Sequence, residues 1–299
     1  MILISGKEIA SQLKEELKQK VEDLHQKNIK KHKVNRYPKL AIIQVGNNEA
    51  SNTYVKNKIK TCEYCNVIPQ HILFPDDVTQ EQLISEINYL NSSYDVDGII
   101  VQLPLPKHLD DYKIINTICP EKDVDGFTNV NLGKVMNDDN SGFIPATPKG
   151  ICTLIDRYKI PTENKNVVII GRSNTVGRPL ANLLSNKKYN ANVTLLHSKT
   201  DWITLRGTTM ESDIIIACCG QKEMINKDYL SNNKIYTIID VGIHRNKDNK
   251  LCGDVDFESV KQYCEYITPV PGGVGPMTVI ELINNTIKSY AERYDLRGI

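Results

Sequence analysis

Short apolar runs alternate along this chain with stretches whose apolar residues recur every three or four positions. Ile9, Leu13, Leu17, Val21 and Leu24 fall at helical spacing behind Ser5 and Glu8, which have the separation of a capping box. Residues 39–45 read as a buried strand stopped at Gly46, and the stretch from about 50 to 65 as a second helix. A short strand at 72–74, a helix at 81–90, a strand at 98–103 closed by Pro104 and Pro106, and a helix at 110–118 continue the pattern. Residues 120–148 lapse into a polar connection too irregular for a core element. The alternation resumes with a helix at 150–158 and strands at 167–171, 193–197, 213–218 and 237–241. A last helix over 277–293 is carried by Val279, Leu282, Ile283 and Ile287. The Asn- and Lys-rich segments 185–192 and 245–250 read as solvated loops. Strand and helix in strict alternation favour parallel sheets with crossover helices, so the expected fold class is α/β. With 299 residues the chain can form two domains.

The run VVIIGRSNTVGRPLANLL over 167–184 is a buried strand, a tight turn from Gly171 and a helix from Gly177. Such a turn aims helix N-terminal amides at an anion, which in a nucleotide-binding α/β domain is the cofactor pyrophosphate. The glycine spacing is not the GxGxxG fingerprint, and a crossover with no ligand would carry the same pattern.

Charge and cysteine content narrow the partners. Lys plus Arg total 37 against 36 acidic residues, a net charge of +1, so no long-range field favours nucleic acid or an anionic membrane. The longest apolar run, 214–219, is far too short to span a bilayer, and the N-terminus lacks the apolar core of a signal peptide. A soluble, cytoplasmic protein is expected. Most of the eight cysteines sit inside apolar stretches, as reduced thiols do. The spacing of Cys62 and Cys65 raises zinc or redox chemistry. No second pair succeeds it, however, and a helix puts both on the side of Val55 and Ile59, which favours packing over a metal site. The tetrapeptide DVDG occurs at 95–98 and 123–126, but the residues after each copy differ entirely and no glutamate completes a calcium loop, so the repeat reads as coincidence.

Four places could carry chemistry. Tyr54 and Lys58 are four apart on one helix face, with Lys58 beside the buried stripe, where partial desolvation lowers a lysine pKa towards the range of proton transfer. A solvated charge is the ordinary role of a helix lysine. Gln102 is the one polar residue of its strand and lies at the C-terminal end, where open α/β sheets keep their ligand crevices; it bonds either loop backbone or a ligand-site group. Asp123 and Asp125 flank a turn at Gly126 that one of them could cap. The stretch TPVPGGVGPMT at 268–278 fixes an unusual backbone path and contains nothing apolar enough to pack, so it is a rigid turn or a backbone laid against a flat ligand.

Together, YVKNK, VQLPLP, PEKDVDGFTNVN, PATPKG, GRSNTVGRP, HSKT and PGGVGPMT resemble the bifunctional methylenetetrahydrofolate dehydrogenase/cyclohydrolase family, from the first helix to the last. The resemblance implies a folate-binding catalytic domain of residues 1–148 plus 277–299 and a Rossmann-type NADP-binding domain of 149–276, with an interdomain cleft. It implies tetrahydrofolate derivatives as ligands, a homodimer, and a place in one-carbon metabolism including purine biosynthesis. By resemblance Tyr54 would stack on the folate, Lys58 would be the general acid/base, Gln102 would tune it and Asp125 would hold the pterin's amino and ring nitrogens. Pro271, Gly272 and Gly273 would line the folate pocket by backbone contact. Arg172, Ser173 and Ser198 would lie near the adenosine ribose and its phosphate and Thr278 near the nicotinamide end, with Gly171, Val176, Gly177, His197 and Gly275 completing the cofactor set.

The implied reactions are oxidation of 5,10-methylenetetrahydrofolate to the methenyl form and its hydrolysis to 10-formyltetrahydrofolate. A monofunctional dehydrogenase is the alternative, although relatives of that kind tend to lose the lysine that this chain has as Lys58. A folate- or nucleotide-binding protein without turnover and a dehydrogenase of amino or hydroxy acids are the remaining readings. His197-Ser198-Lys199 stands where an NAD site usually places a carboxylate, and Arg172 is in the neighbouring turn, which favours NADP. Ala146 departs from the cysteine common at that position in the family.

Overall fold

The computed structural model describes residues 1–296. In chain order its elements begin with β1 (Ile2–Leu3), α1 (Gly6–His32), β2 (Lys39–Val45), α2 (Glu49–Tyr64), β3 (Ile68–Phe74), α3 (Gln80–Ser92), β4 (Gly98–Val101), α4 (Asp111–Asn116), α5 (Asn129–Met136) and α6 (Ala146–Tyr158). They continue with β5 (Asn166–Ile170), α7 (Gly177–Ser185), β6 (Asn192–Leu196), α8 (Trp202–Glu211), β7 (Ile214–Ala217), β8 (Tyr236–Asp240), β9 (His244–Arg245), β10 (Leu251–Cys252), α9 (Phe257–Val260), β11 (Cys264–Ile267) and α10 (Val274–Arg293). Two compact units result. A central unit joins Thr147–Thr278 with Met1–Ala10, and an N-terminal unit joins Ser11–Ala146 with the chain from Val279 onward.

The N-terminal unit is built on a parallel sheet of order β3-β2-β4. β2 is buried from Leu40 to Val45 and, Gln44 apart, this span is apolar on both faces, as a central parallel strand requires. Leu83 and Ile87 of α3 and Ile114 of α4 pack on Ala41, Ile43 and Ile99. A parallel bridge between Ile99 and Asp123 continues the sheet past β4, and this places Asp125 near the C-terminal end of that strand. The connection expected to be irregular contains α5. Its cap is Thr128, whose side chain accepts from Asn131 N at 3.4 Å. The helical pattern is disguised because a core position holds a polar residue. Asn131, 1 % exposed, donates to Pro120 O at 3.0 Å and Asp123 Oδ2 at 2.8 Å and accepts from Phe143 N at 3.1 Å.

The central unit has a six-stranded, all-parallel sheet of order β1-β11-β8-β7-β5-β6. Counted from β5 the order is second, first, third, fourth, fifth, a doubly wound arrangement in which the direction of strand succession reverses between β5 and β7. β7 and β8 are buried throughout. The expected loop at 245–250 is instead the tip of an antiparallel hairpin that pairs Arg245 with Leu251 and His244 with Cys252. Asn246 Oδ1 accepts from Asp248 N at 3.0 Å and Lys250 N at 2.9 Å, so the polar composition belongs to the turn. α10 starts at Val274, earlier than its periodicity suggested. Val274 and Met277 are 3 % and 0 % exposed, so the Pro-Gly stretch does supply packing residues. Among the described residues no helix is long and apolar enough to cross a membrane.

Candidate active site

α2 is capped by Asn48, whose side chain accepts from Ser51 N at 3.1 Å. Val55, Lys58, Cys62 and Cys65, separated by three or four residues, are all buried, while Lys56 and Lys60 are exposed. Lys58 thus lies within the buried stripe and not merely beside it, at 8 % exposure. Its Nζ donates to Gln102 Oε1 at 3.0 Å. Gln102 comes directly after β4; its backbone N donates to Ile43 O at 2.8 Å and its Nε2 to Leu103 O at 2.7 Å, which turns the amide oxygen towards the lysine. The glutamine therefore meets both loop backbone and site.

The two aspartates of the second DVDG divide their work. Asp123 accepts from Gly126 N at 3.0 Å and Phe127 N at 3.2 Å through Oδ1, and from Thr128 N and Asn131 Nδ2, each at 2.8 Å, through Oδ2. Its carboxylate is fully committed to the turn. The Asp125 carboxylate has no hydrogen-bond partner among the described residues. Burial pushes it above the usual carboxylate range, Lys58 opposes that shift and Asp123 adds to it. Burial lowers the Lys58 ammonium pKa, and the negative charge of Asp125 opposes the lowering. Tyr54, one turn before Lys58, is 37 % exposed, and burial raises its hydroxyl. Cys62 and Cys65 are both 0 % exposed, and burial pushes the Cys65 thiol up to about 11, so both are neutral packing groups.

In the central unit β5 ends at Gly171, whose φ of +133° suits glycine alone. A Cβ on Gly177 would stand 1.9 Å from Gly171 O, so the start of α7 approaches the strand end as only glycine permits. No side chain caps α7 at Val176, while Ser173 Oγ accepts from Val176 N at 3.1 Å. The helix terminus and its turn form a backbone cradle suited to a pyrophosphate. Arg172 is exposed and forms no ion pair among the described residues. At the end of β6, His197 N donates to Thr200 Oγ1 at 3.1 Å and His197 Nδ1 accepts from Lys199 N at 3.2 Å, leaving Ser198 and Lys199 exposed. The nearest carboxylate in sequence, Asp201, is occupied as the cap of α8, accepting from Thr204 N at 3.0 Å and Thr204 Oγ1 at 2.7 Å.

Tyr54, Lys58, Gln102 and Asp125 belong to the N-terminal unit, whereas Gly171 to Gly177, His197 and Ser198 belong to the central unit. The central unit also holds Pro271, Gly272, Gly273, Gly275 and Thr278. Gly272 O accepts from Lys7 N at 2.9 Å, and the hydroxyls of Thr278 and Thr147 are 2.9 Å apart.

A family model described as the catalytic domain of tetrahydrofolate dehydrogenase/cyclohydrolase matches residues 4–125, and one for its NAD(P)-binding domain matches 145–294. The chain belongs to the tetrahydrofolate dehydrogenase/cyclohydrolase family. The bifunctional protein FolD of Campylobacter hominis is 46 % identical, with 98 % of each chain covered. The crystal structure of the bifunctional enzyme FolD, methylenetetrahydrofolate dehydrogenase/cyclohydrolase, from Campylobacter jejuni superposes with a TM-score of 0.91 at 43 % identity, covering 98 % of this chain and 99 % of that one. That of the Trypanosoma brucei enzyme, complexed with NADP and an inhibitor, gives 0.90 at 32 % identity over 100 % and 99 %.

Within the fold of this dehydrogenase/cyclohydrolase family, a cluster that no sequence motif announces stands beyond β7 and β8. It comprises Asp240, His244 and Asp254, with exposures of 4 % and 0 % for the two aspartates. The available signal was the pairing of Asp-Val-Gly at 240–242 with Gly-Asp-Val at 253–255, polar residues embedded next to a buried strand. Among the described residues no group of three or more His, Cys, Asp or Glu could hold a metal ion.

Proposed function

We propose that this chain oxidises 5,10-methylenetetrahydrofolate to 5,10-methenyltetrahydrofolate with NADP and hydrolyses the product to 10-formyltetrahydrofolate. The observation that carries this reading is the buried lysine–glutamine pair, Lys58 with Gln102, beside a carboxylate, Asp125, that no group among the described residues engages in a hydrogen bond. A monofunctional dehydrogenase would have no use for that lysine.

The first step requires juxtaposition more than acid/base help. NADP would supply the hydride acceptor for the one-carbon bridge. Asp125 accepts hydrogen bonds from the pterin's amino and ring nitrogens, and Tyr54 offers its ring to the folate; Pro271, Gly272 and Gly273 contribute backbone. Arg172, Ser198 and Lys199 supply donors for the 2′-phosphate, and the α7 terminus supplies amides for the pyrophosphate.

In the second step water adds to the methenyl carbon. Neutral Lys58 Nζ, favoured by its lowered pKa, removes the proton that this water sheds. The resulting ammonium returns a proton to the ring nitrogen as its bond to carbon breaks, and the hydroxyl proton leaves as the formyl group forms. The balance is one water consumed and one proton released. Gln102 keeps Nζ directed throughout.

The homodimer, the cytoplasmic location and the supply of one-carbon units to purine synthesis belong to the same reading. β3 is a sheet edge carrying exposed Ile68 and Leu73, which supports pairing with a second copy.

Two measurements test these assignments. Mixing the protein with methylenetetrahydrofolate and NADP should produce the absorbance of reduced cofactor, and no absorbance change would remove the dehydrogenase. Arg172→Ala should raise KM for NADP roughly fivefold to tenfold, as expected for one charge-assisted contact at an exposed site, and leave KM for NAD unchanged. Equal effects on both cofactors would remove Arg172 from the 2′-phosphate.

Asp125→Asn tests the electrostatics of the acid/base site. The Asp125 charge favours the ammonium form of Lys58, so its loss lets burial lower the lysine further. The ascending limb of kcat against pH for methenyl hydrolysis should therefore move to lower pH, even as the maximal rate falls with the weakened hold on the pterin. A limb that stays in place or moves to higher pH contradicts the coupling.

A further inference from the structure

The C-terminal ends of β7 and β8 are tied together by two buried carboxylates that the mechanism above leaves unused. Asp254 lies after the β9–β10 hairpin and is 0 % exposed. Its Oδ2 accepts from Cys219 N at 2.8 Å and Gly220 N at 3.0 Å, two amides of the loop that leaves β7. Its Oδ1 is 2.7 Å from His244 Nε2, so the imidazole donates there through its Nε2–H. Asp240, at the end of β8, holds this arm from the other side. Its Oδ1 accepts from Gly242 N and Asp254 N, each at 2.9 Å, and its Oδ2 from Val255 N at 3.0 Å.

The loop held by Asp254 borders the cofactor turn. A Cβ on Gly171 would meet Cys218 O at 2.1 Å, so the β7 loop and the turn after β5 are in backbone contact. The sheet order gives this contact a direction. β6, whose end carries the 2′-phosphate donors, lies on one side of β5, and β7 and β8 lie on the other. A dinucleotide whose pyrophosphate sits on the turn after β5 and whose adenosine ribose sits at β6 must carry its nicotinamide half towards the ends of β7 and β8. His244 lies four residues past the end of β8, bonded to Asp254, with its side chain 23 % exposed and its Nδ1 free of protein partners among the described residues.

We propose that Asp254 and His244 are positioning residues for the nicotinamide half of the cofactor, with Asp254 fixing the β7 loop beside the turn and His244 completing the wall at β8. The proposal rests on the NADP reading given above. It makes the hairpin between β8 and β11 part of the cofactor site by way of one carboxylate.

Calorimetric titration of the full chain with NADP and, separately, with adenosine 2′,5′-bisphosphate tests it, because the second ligand has the adenosine half alone. In Asp254→Asn and His244→Leu the Kd for NADP should rise about tenfold, while the Kd for the bisphosphate stays within twofold of the parent. In His244→Gln, whose amide can still donate to Asp254, most of the NADP affinity should return. Equal weakening of both ligands would show that the pair merely supports the fold and would overturn the proposal, as would unchanged NADP binding in both variants. If the parent protein binds neither ligand, the NADP reading itself fails, an outcome distinct from either of these.

Discussion

Lys58→Met is expected to bring methenyltetrahydrofolate hydrolysis down to the spontaneous rate while dehydrogenase turnover stays within a few-fold of the parent. Methionine is unbranched and of similar length, so it fills the stripe between Val55 and Cys62 without opening a cavity. The variant loses only the amine. A positioned acid/base group contributes roughly 10²- to 10⁴-fold, and in the proposed sequence Lys58 acts twice, on the attacking water and on the departing nitrogen. Gln102 Oε1 loses its donor, a cost of about 1–3 kcal/mol at most that bears on stability and not on hydride transfer. The two reactions should therefore separate. Formation of reduced cofactor from methylenetetrahydrofolate reads the first, and decay of methenyl absorbance above the no-enzyme rate reads the second. Enzymatic decay that persists would displace Lys58 from its role, and parallel loss of both reactions would show that the lysine supports substrate binding instead.

The fold was legible where one physical rule governs a segment. β2 and β5 are buried on both faces, so unbroken apolar runs announced them. β1, two residues long, and β11, with an exposed Glu265 among four residues, carry too little pattern to be seen. α5 was hidden because Asn131 occupies a core position and derives its stability from partners distant in sequence. Periodicity counts apolar residues and cannot register a polar one that is fully satisfied.

The candidate site shows the same limit. The i, i+4 relation of Tyr54 and Lys58 comes from helix geometry, but the depth at which Lys58 sits depends on which elements cover α2, and that is a tertiary fact. Nor could spacing decide between Asp123 and Asp125. Their roles separate only when the turn at Gly126 claims both oxygens of the first and none of the second. The Asp254 cluster was less visible still, because its partners come from segments 218–220, 240–244 and 253–255, and no local window contains them.

The first DVDG leads to the second large effect. Asp97→Ala is expected to destabilise the N-terminal unit by about 3–5 kcal/mol, the usual consequence of removing one partner from a buried ion pair. Asp97 is 0 % exposed and receives Arg36 in a two-pronged contact, Nη1 to Oδ2 at 2.6 Å and Nη2 to Oδ1 at 2.8 Å. It also accepts from Lys39 N at 2.9 Å at the head of β2 and lies 3.4 Å from Arg293 Nη1 of α10. Alanine would leave two guanidinium groups facing a gap, one of them, Arg36, lying against the rings of Tyr290 and Tyr294 at 5.1 Å from each centroid. Asp97→Asn preserves shape and one acceptor, so its cost should be roughly half as large. Urea unfolding monitored by circular dichroism measures both. A midpoint for the alanine variant close to that of the parent would mean that the hydroxyl of Ser289, which reaches Asp97 O at 2.6 Å, and the packing of Tyr290 hold α10 on the sheet without the ion pair. The order alanine below asparagine below parent is the signature of a charge that fastens the last helix to the strand bearing Gln102.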